Sequence, residues 1–289
     1  MRTITPVVLS LSVLAGCAKH SATYEQSAAT GTAEQSKTLH SEGLALWDGR
    51  DDADKLTAAL AKFEAAYNAD PSNREAATLL TRGWYFWGDA KTDNPEEKLE
   101  AWNKAVQWGG RCMAVNKEFS DLMSQGNETE RTAIRVMTVE DAGCLYWAAS
   151  ALGKWAKLKG FATLLKHKDT AKAYVTKVEE LDSNYFYAGP DRYFGAVYAV
   201  APSFAGGDLD KAEVRFDQSI EKQPGYLGTK VLKAAYYATK RQDEALFDKL
   251  LDEVIAADPD AIAELGPENR AEQAKAKALK AQKSDFFAK

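Results

Sequence analysis

The amino-acid sequence predicts an all-α protein, built as an irregular helical repeat array (an α-solenoid), and three observations support this prediction. The chain has 289 residues, of which 45% are hydrophobic and 27% are charged, so it can fill a large core and is not intrinsically disordered. Glycine and proline number only 19 and 8, too few for the frequent turns of an all-β protein. A helical spacing of core residues also recurs before three of the prolines.

The recurring pattern places a small, a large and another small residue at intervals of four and three, followed five positions later by proline. Residues at these intervals share one helix face: the small ones let a neighbouring helix approach, the large one fills the groove, and proline ends the helix. The copies are Ala59-Phe63-Ala66-Pro71, Ala212-Phe216-Ser219-Pro224 and, with altered residue types, Phe247-Leu251-Val254-Pro259, while Trp102–Ala105 keeps only the middle.

This spacing resembles the second helix of tetratricopeptide repeats, and the resemblance implies a partner helix before each copy. The copies do not follow the family's interval of about 34 residues, so we expect an irregular array with long inserted helices between Asp93 and Leu181. The predicted partner helices are Leu39–Trp47, Arg74–Trp87, Asp191–Ala199 and Thr229–Thr239.

The amino terminus is typical of a bacterial export signal. Arg2 precedes an apolar run from Ile4 to Leu14, which is too short to span a membrane as a permanent helix. The run ends in Leu14-Ala15-Gly16-Cys17, which resembles the lipobox of bacterial lipoproteins, where the cysteine receives diacylglycerol and becomes the mature amino terminus. We therefore predict a lipoprotein signal peptide over residues 1–16 and a covalent lipid on Cys17. The alternative is an ordinary cleaved signal with an incidental cysteine.

The sequence predicts a flexible tether over residues 17–38 and the helical repeat domain over residues 39–289. Residues 18–36 are rich in Ser, Thr, Ala and Gln and have almost no large apolar side chains. Several acyl chains on one residue give stable membrane anchoring. Ala18, rather than an aspartate, follows the cysteine, so similarity to lipoprotein sorting rules implies the outer membrane with the body facing the periplasm.

Export would place the other two cysteines, Cys112 and Cys144, in an oxidising compartment. The segments Glu96–Ser124 and Glu130–Leu158 both look helical, and the turn signal Gln125-Gly126-Asn127 separates them. The two cysteines lie at similar distances from this turn, so an antiparallel hairpin would bring them to one level and allow a disulfide. Two buried free thiols are the alternative, because Gly109-Gly110 would spoil the register if it broke the first helix.

One stretch in the second half carries a more specific pattern than the repeat. It reads Gly189-Pro190-Asp191-Arg192-Tyr193-Phe194-Gly195-Ala196, then Ala201-Pro202, Gly206-Gly207-Asp208 and Lys211-Ala212. This pattern resembles the signature of the T-component family associated with TRAP transporters, in which a Gly-Pro-x-Arg segment opens a helix and a Gly-Gly-Asp turn precedes the next one. The resemblance extends over roughly residues 39–287 and includes the cluster Trp84-Tyr85-Phe86-Trp87.

The resemblance implies a lipidated, periplasm-facing helical protein that works beside the solute-binding protein of a tripartite transporter. It also implies a homo-oligomer, such as a trimer. The Ala- and Lys-rich closing helix Asn269–Phe287 would then either cap the array or meet a second subunit.

Candidate binding residues come from the signature and from the aromatic clusters. Arg192, beside Tyr193, would either pair a ligand carboxylate or hold a buried Asp or Glu, and we favour the internal ion pair. The aromatic residues would either pack in the core or line a groove that binds an organic ligand or its carrier protein. The aromatic candidates are Trp84, Trp87, Tyr146, Trp147 and Trp155.

The sequence offers no catalytic site. His20, His40 and His167 are isolated, so local spacing builds neither a zinc site nor a catalytic triad, and no glycine-rich phosphate loop is present. The acidic net charge of −5 argues against nucleic acid as a partner. We therefore expect no enzyme activity, no metal and no cofactor apart from the lipid on Cys17. Two functions remain: a transport accessory that docks a periplasmic solute-binding protein and passes a carboxylated or hydrophobic ligand, or a structural tetratricopeptide-like scaffold of the cell envelope.

Overall fold

The chain folds into consecutive α-helices that pack largely against their neighbours in sequence. A computed structural model describes Tyr24, residues 28–126 and residues 128–287, and it contains no strand in these ranges. The prediction of an all-α protein is therefore confirmed. The helices are α1 (Ala33–Trp47), α2 (Ala53–Ala69), α3 (Arg74–Ala90), α4 (Pro95–Ala114), α5 (Lys117–Ser124), α6 (Glu130–Ala133), α7 (Ala142–Lys159), α8 (Phe161–Leu181), α9 (Tyr185–Val200), α10 (Leu209–Lys222), α11 (Gly228–Leu232), α12 (Thr239–Arg241), α13 (Glu244–Ala256) and α14 (Gly266–Ala281), with a π-helical turn at Lys233–Ala238 between α11 and α12.

The repeat pattern marks helices whose core positions are buried. Phe63, Phe216 and Leu251, which hold the middle position of the three copies, have no exposed surface, as expected for the residue that fills the groove. Each of these helices ends two or three residues before the proline of its copy. The four partner helices that the pattern predicts correspond to α1, α3, α9 and the continuous run from α11 to α12.

The two ends of the array are in contact. The carboxylate of Glu268, near the start of α14, pairs with Arg50 just after α1 and with Arg82 in α3. Arg270 of the same helix pairs with Asp51. Ion pairs therefore join the closing helix to the first helices of its own chain.

The first helix begins earlier than the predicted domain boundary at Leu39. Helix α1 starts at Ala33, where Thr32 and Gln35 form a capping box. Thr30 adds a backbone hydrogen bond to Asn68. Part of the predicted tether therefore belongs to the folded body. Cys17 and the predicted signal peptide lie outside the described residues, and no helix within the described ranges is long and apolar enough to cross a membrane.

The two long helices predicted around the cysteines are interrupted. The predicted helix Glu96–Ser124 divides at Val115–Asn116, where Asn116 caps the short helix α5. The predicted helix Glu130–Leu158 is replaced before Ala142 by α6 and two short 3₁₀ turns. These divisions place α4 and α7, which carry the cysteines, side by side.

Cys112 and Cys144 form a disulfide between α4 and α7, with their Cα atoms 5.4 Å apart. The Gly109-Gly110 pair does not break α4. A Cβ atom on Gly109 would lie 2.5 Å from the Cβ of Ala148, so this glycine permits the close approach of the two helices. The hydroxyl of Thr78 contacts both sulfur atoms from α3.

Candidate functional site

Three consecutive residues form a left-handed turn at the start of α9. Phe186, Tyr187 and Ala188 have φ angles of 43°, 57° and 54°. Residues other than glycine rarely adopt this conformation, which costs about 1–2 kcal/mol for each of them. Gly189 and Pro190 follow directly, and Pro190 suits the first turn of the right-handed helix that continues to Val200. Such strain persists only where the surroundings hold the backbone in place.

Side chains from two helices bind all three carbonyl groups of this turn. The guanidinium of Arg192 donates to the carbonyl oxygen of Phe186 at 3.0 Å and to that of Tyr187 at 2.9 Å. The hydroxyl of Ser219, the second small residue of the α10 repeat copy, donates to the carbonyl of Ala188 at 3.2 Å. Arg192 is only 4% exposed, so these charge-assisted bonds lie away from solvent.

The turn places its aromatic rings against those of α7 and of the loop before α11. The ring centroid of Phe186 lies 4.5 Å from that of Trp147 and 5.6 Å from that of Tyr226. The Tyr187 ring stacks on Tyr226 at 6.1 Å. Tyr146 contacts Trp147 edge-on at 5.1 Å. We call these five residues the aromatic site.

The aromatic site has a buried floor and a partly exposed rim. Tyr146 and Trp147 are 4% and 5% exposed and form the floor. Phe186, Tyr187 and Tyr226 are partly exposed and form the rim. Rings with both an apolar face and a polar edge are common in ligand sites and at the centres of protein interfaces.

Arg192 is buried without an acidic partner in the described part of the chain. Its third hydrogen bond goes to the Tyr146 hydroxyl at 2.8 Å, and its guanidinium lies 4.0 Å from the Tyr226 ring centroid. The favoured prediction of an internal ion pair is therefore wrong, because backbone carbonyls and rings replace the carboxylate. The neighbouring Asp191 forms the ion pairs instead, with Arg215 and Lys222.

Arg82 and Glu268 connect the aromatic site to the closing helix. The guanidinium of Arg82 lies 4.6 Å from the Phe186 ring centroid and 2.6 Å from a carboxylate oxygen of Glu268. Burial alone would raise the pKa of the Glu268 carboxyl, but Arg82 and Arg50 lower it below its ordinary value. Two guanidinium groups therefore share one buried carboxylate beside the rings.

A second ion cluster lies near Tyr85. The ring centroid of Tyr85 lies 5.4 Å from that of Trp147. Asp89 accepts hydrogen bonds from Lys154 of α7 and Lys275 of α14. Although burial opposes the charge, the two ammonium groups hold the pKa of Asp89 well below its usual range. The cluster joins α3, α7 and α14 at the edge of the aromatic site.

The remaining predicted site residues do not belong to the aromatic site. Trp84 and Trp87 contact each other at 6.3 Å on another face of α3, where Lys104 lies 4.4 Å from the Trp84 ring centroid. Tyr193 is partly buried beside Phe194 at 5.8 Å. Trp155 contacts His167 and is 5% exposed. Of the candidates, only Tyr146, Trp147 and Arg192 meet in one place.

Sequence reasoning missed several members of the site and its surroundings. Tyr185-Phe186-Tyr187 stands directly before Ala188-Gly189, and this run of three aromatic residues is the local signal of the site. Arg82, Tyr85 and Asp89 follow the intervals three and four of one helix face, which also suggests a shared surface. The sequence around Tyr226 and around Glu268 carries no pattern that predicts a role in the site, and both residues come from segments distant in the chain.

The chemistry of the site suits binding. Burial raises the pKa of Tyr185 to about 12 and raises that of Tyr226 further, so both hydroxyls stay protonated and neutral at physiological pH. No group of His, Cys, Asp and Glu residues that could hold a metal ion occurs among the described residues. The rings and the protonated hydroxyls offer apolar faces and hydrogen bonds to an organic molecule or a partner protein.

Comparisons with known proteins agree with the resemblance in the sequence. The chain is 25% identical over 264 residues to an uncharacterized protein of Treponema pallidum (strain Nichols), and the match covers 81% of this chain and 79% of the relative. The family model of the TRAP transporter T-component matches residues 52–287, which include every described helix from α2 to α14. The matched range contains the aromatic site and all members of the two ion clusters except Arg50. The chain belongs to the TRAP transporter T-component family.

Proposed function

We propose that this protein is a lipid-anchored accessory component of a TRAP transporter, which docks the solute-binding protein on its periplasmic side. Membership of the T-component family already gives it an accessory role in TRAP transport, association with other transporter components and a place in the cell envelope. The docking, the lipid on Cys17, the outer membrane and a homo-oligomer, such as a trimer, are the parts we propose.

The observation that carries the docking proposal is the left-handed turn bound by Arg192. It holds Phe186 and Tyr187 at the rim of the aromatic site, at an energetic cost that a purely structural helix start would not need. A ligand with an apolar or aromatic body can stack on these rings, and the Tyr226 edge can bind its polar end. Arg192 acts here as a positioning residue, because its hydrogen bonds go to the protein's own carbonyls and to Tyr146.

A transport accessory needs no catalytic group and no cofactor beyond its lipid, and we propose none. The T-component family is a transporter accessory family. The hydroxyl of Tyr226 is neutral because burial raises its pKa, and the buried carboxylates of Asp89 and Glu268 are paired with cations. This arrangement supports reversible binding.

Capture of a solute-binding protein tests the proposal. The lipidated full-length protein in vesicles is mixed with a periplasmic extract, and retained proteins are identified by mass spectrometry. We expect retention of one TRAP-type solute-binding protein, and we expect Arg192→Ala to reduce it at least tenfold. Lys62→Ala, which removes an exposed ion pair with Glu42, is the matched control and should retain wild-type capture. Retention of envelope-assembly proteins alone would instead support the structural scaffold.

A further inference from the structure

Tyr24 is docked on the helical body although it lies within the predicted tether. Its ring meets Phe119 edge-on at 5.4 Å, and its hydroxyl lies 3.3 Å from the hydroxyl of Tyr174. The Tyr174 hydroxyl donates in turn to Glu130 at 3.0 Å. Ser120 donates to the Tyr24 carbonyl. We call Phe119, Ser120, Glu130 and Tyr174 the tyrosine socket.

The position of the socket limits how far the body can move from a lipid on Cys17. Tyr24 follows Cys17 by seven residues, and an extended chain of that length spans at most about 25 Å. Without this contact, the next described attachment is Thr30, which bonds Asn68 and follows Cys17 by thirteen residues, or about 45 Å. Docking of Tyr24 therefore almost halves the reach and holds the α5, α6 and α8 side closest to the membrane.

Two of the three helices that form the socket, α6 and α8, also line a basic groove. Glu130 and Tyr174 of the socket stand next to Arg131 and Ala173 of the groove, which has a volume of about 450 Å³ between α6 and α8. Its charged side chains are four cations and two carboxylates: Arg131, Arg135, Lys172 and Lys177 against Asp169 and Glu180.

The charge and exposure of the groove suit a surface of anionic phosphates. Lys172 is exposed and has no ion pair within the described ranges, and half of the Arg131 side chain is exposed. Lys168 and Phe161 lie on the same exposed face of α8, where Phe161 is 51% exposed. A basic helix face with an exposed aromatic residue is typical of segments that lie on a membrane surface.

We propose that Tyr24 acts as a latch that orients the body on the membrane, with the basic groove and the exposed face of α8 against anionic phospholipid headgroups. This inference rests on the lipid anchor of the proposed function. The latch shortens the tether, so the weak attraction between the groove and the headgroups acts at high effective concentration. The opposite side of the body, away from the latch, then faces the periplasm.

The test measures the distance of α8 from the bilayer. Lipidated full-length protein carrying Ala162→Cys, an exposed position of α8 outside the groove, is labelled with a fluorophore and placed in vesicles of phosphatidylethanolamine and phosphatidylglycerol that contain a headgroup nitroxide quencher. We expect strong quenching, retained in Tyr24→Phe, which keeps the ring, and reduced at least twofold in Tyr24→Ala. Replacing phosphatidylglycerol by phosphatidylcholine should also reduce it at least twofold.

Three results would overturn the proposal: no quenching in the unmutated background, equal quenching in Tyr24→Ala, or equal quenching on neutral vesicles. Absence of acyl chains on Cys17 in the mass spectrum would overturn it as well. None of these measurements involves the solute-binding protein. Capture by Tyr24→Ala in detergent should match the wild type, so a failure of the latch and a failure of docking are distinguishable.

Discussion

Replacing Ala188 by glycine tests the left-handed turn on which the aromatic site depends. In an ordinary buried helix, Ala→Gly costs about 1 kcal/mol in backbone entropy and about 0.8 kcal/mol for the lost methyl group. Ala188 has a φ of 54°, a region that glycine adopts without strain, so the substitution should regain about 1–2 kcal/mol. The net change should therefore lie between about 0 and 1 kcal/mol of lost stability.

Ala199→Gly is the matched control, because Ala199 is fully buried in the right-handed part of the same helix. Ala199→Gly relieves no backbone strain, so it should lower the free energy of unfolding by about 2 kcal/mol. The free energy of unfolding of both variants is measured by urea titration followed by circular dichroism. If Ala188→Gly loses as much stability as Ala199→Gly, the turn is not left-handed in solution, and the positioning role of Arg192 is refuted.

Two further predictions concern stability and redox state. The Cys112–Cys144 disulfide closes a loop of about thirty residues, so its reduction should lower the free energy of unfolding by about 3–4 kcal/mol. Alkylation of the denatured protein should find two more free thiols with reductant than without it. An equal thiol count under both conditions would contradict the bond. The pKa of Glu268 is lower in the folded than in the unfolded chain, so its ion pairs stabilise the fold above the ordinary carboxyl pKa of 4.5, and this stability is lost as the pH falls below that value. Glu268→Gln should therefore cost about 3–5 kcal/mol at pH 7 and flatten the acid side of a stability–pH profile, whereas the exposed Glu42→Gln should leave the profile unchanged.

The helices of the repeat copies could be predicted because their signals are local. The intervals between Ala59, Phe63 and Ala66 place these side chains on one face, and Pro71 ends the segment whatever surrounds it. The same reasoning failed between Ala114 and Ala142, where local periodicity continues but the chain must turn to place α7 beside α4. There tertiary packing overrides local propensity.

The aromatic site was predicted only in part, because its backbone depends on residues far apart in sequence. Arg192 stood out as a buried cation, yet its partners are carbonyls that become available only when the turn is left-handed. Ser219 is a small residue of a repeat copy and gives no hint that it binds the carbonyl of Ala188. The contact of α14 with the first repeats likewise depends on Arg50 and Glu268, which are 218 residues apart.

The most direct test of the central claim is a calorimetric titration of the lipidated protein, in detergent, with the purified solute-binding protein of the same transporter. The account predicts saturable binding with a dissociation constant in the micromolar range or below, typical of a specific transient interface. Trp147→Ala and Arg192→Ala should weaken the binding at least tenfold, while Lys62→Ala should not change it. Absence of measurable heat at a concentration of about 100 μM, or equal affinity in all variants, would contradict the claim.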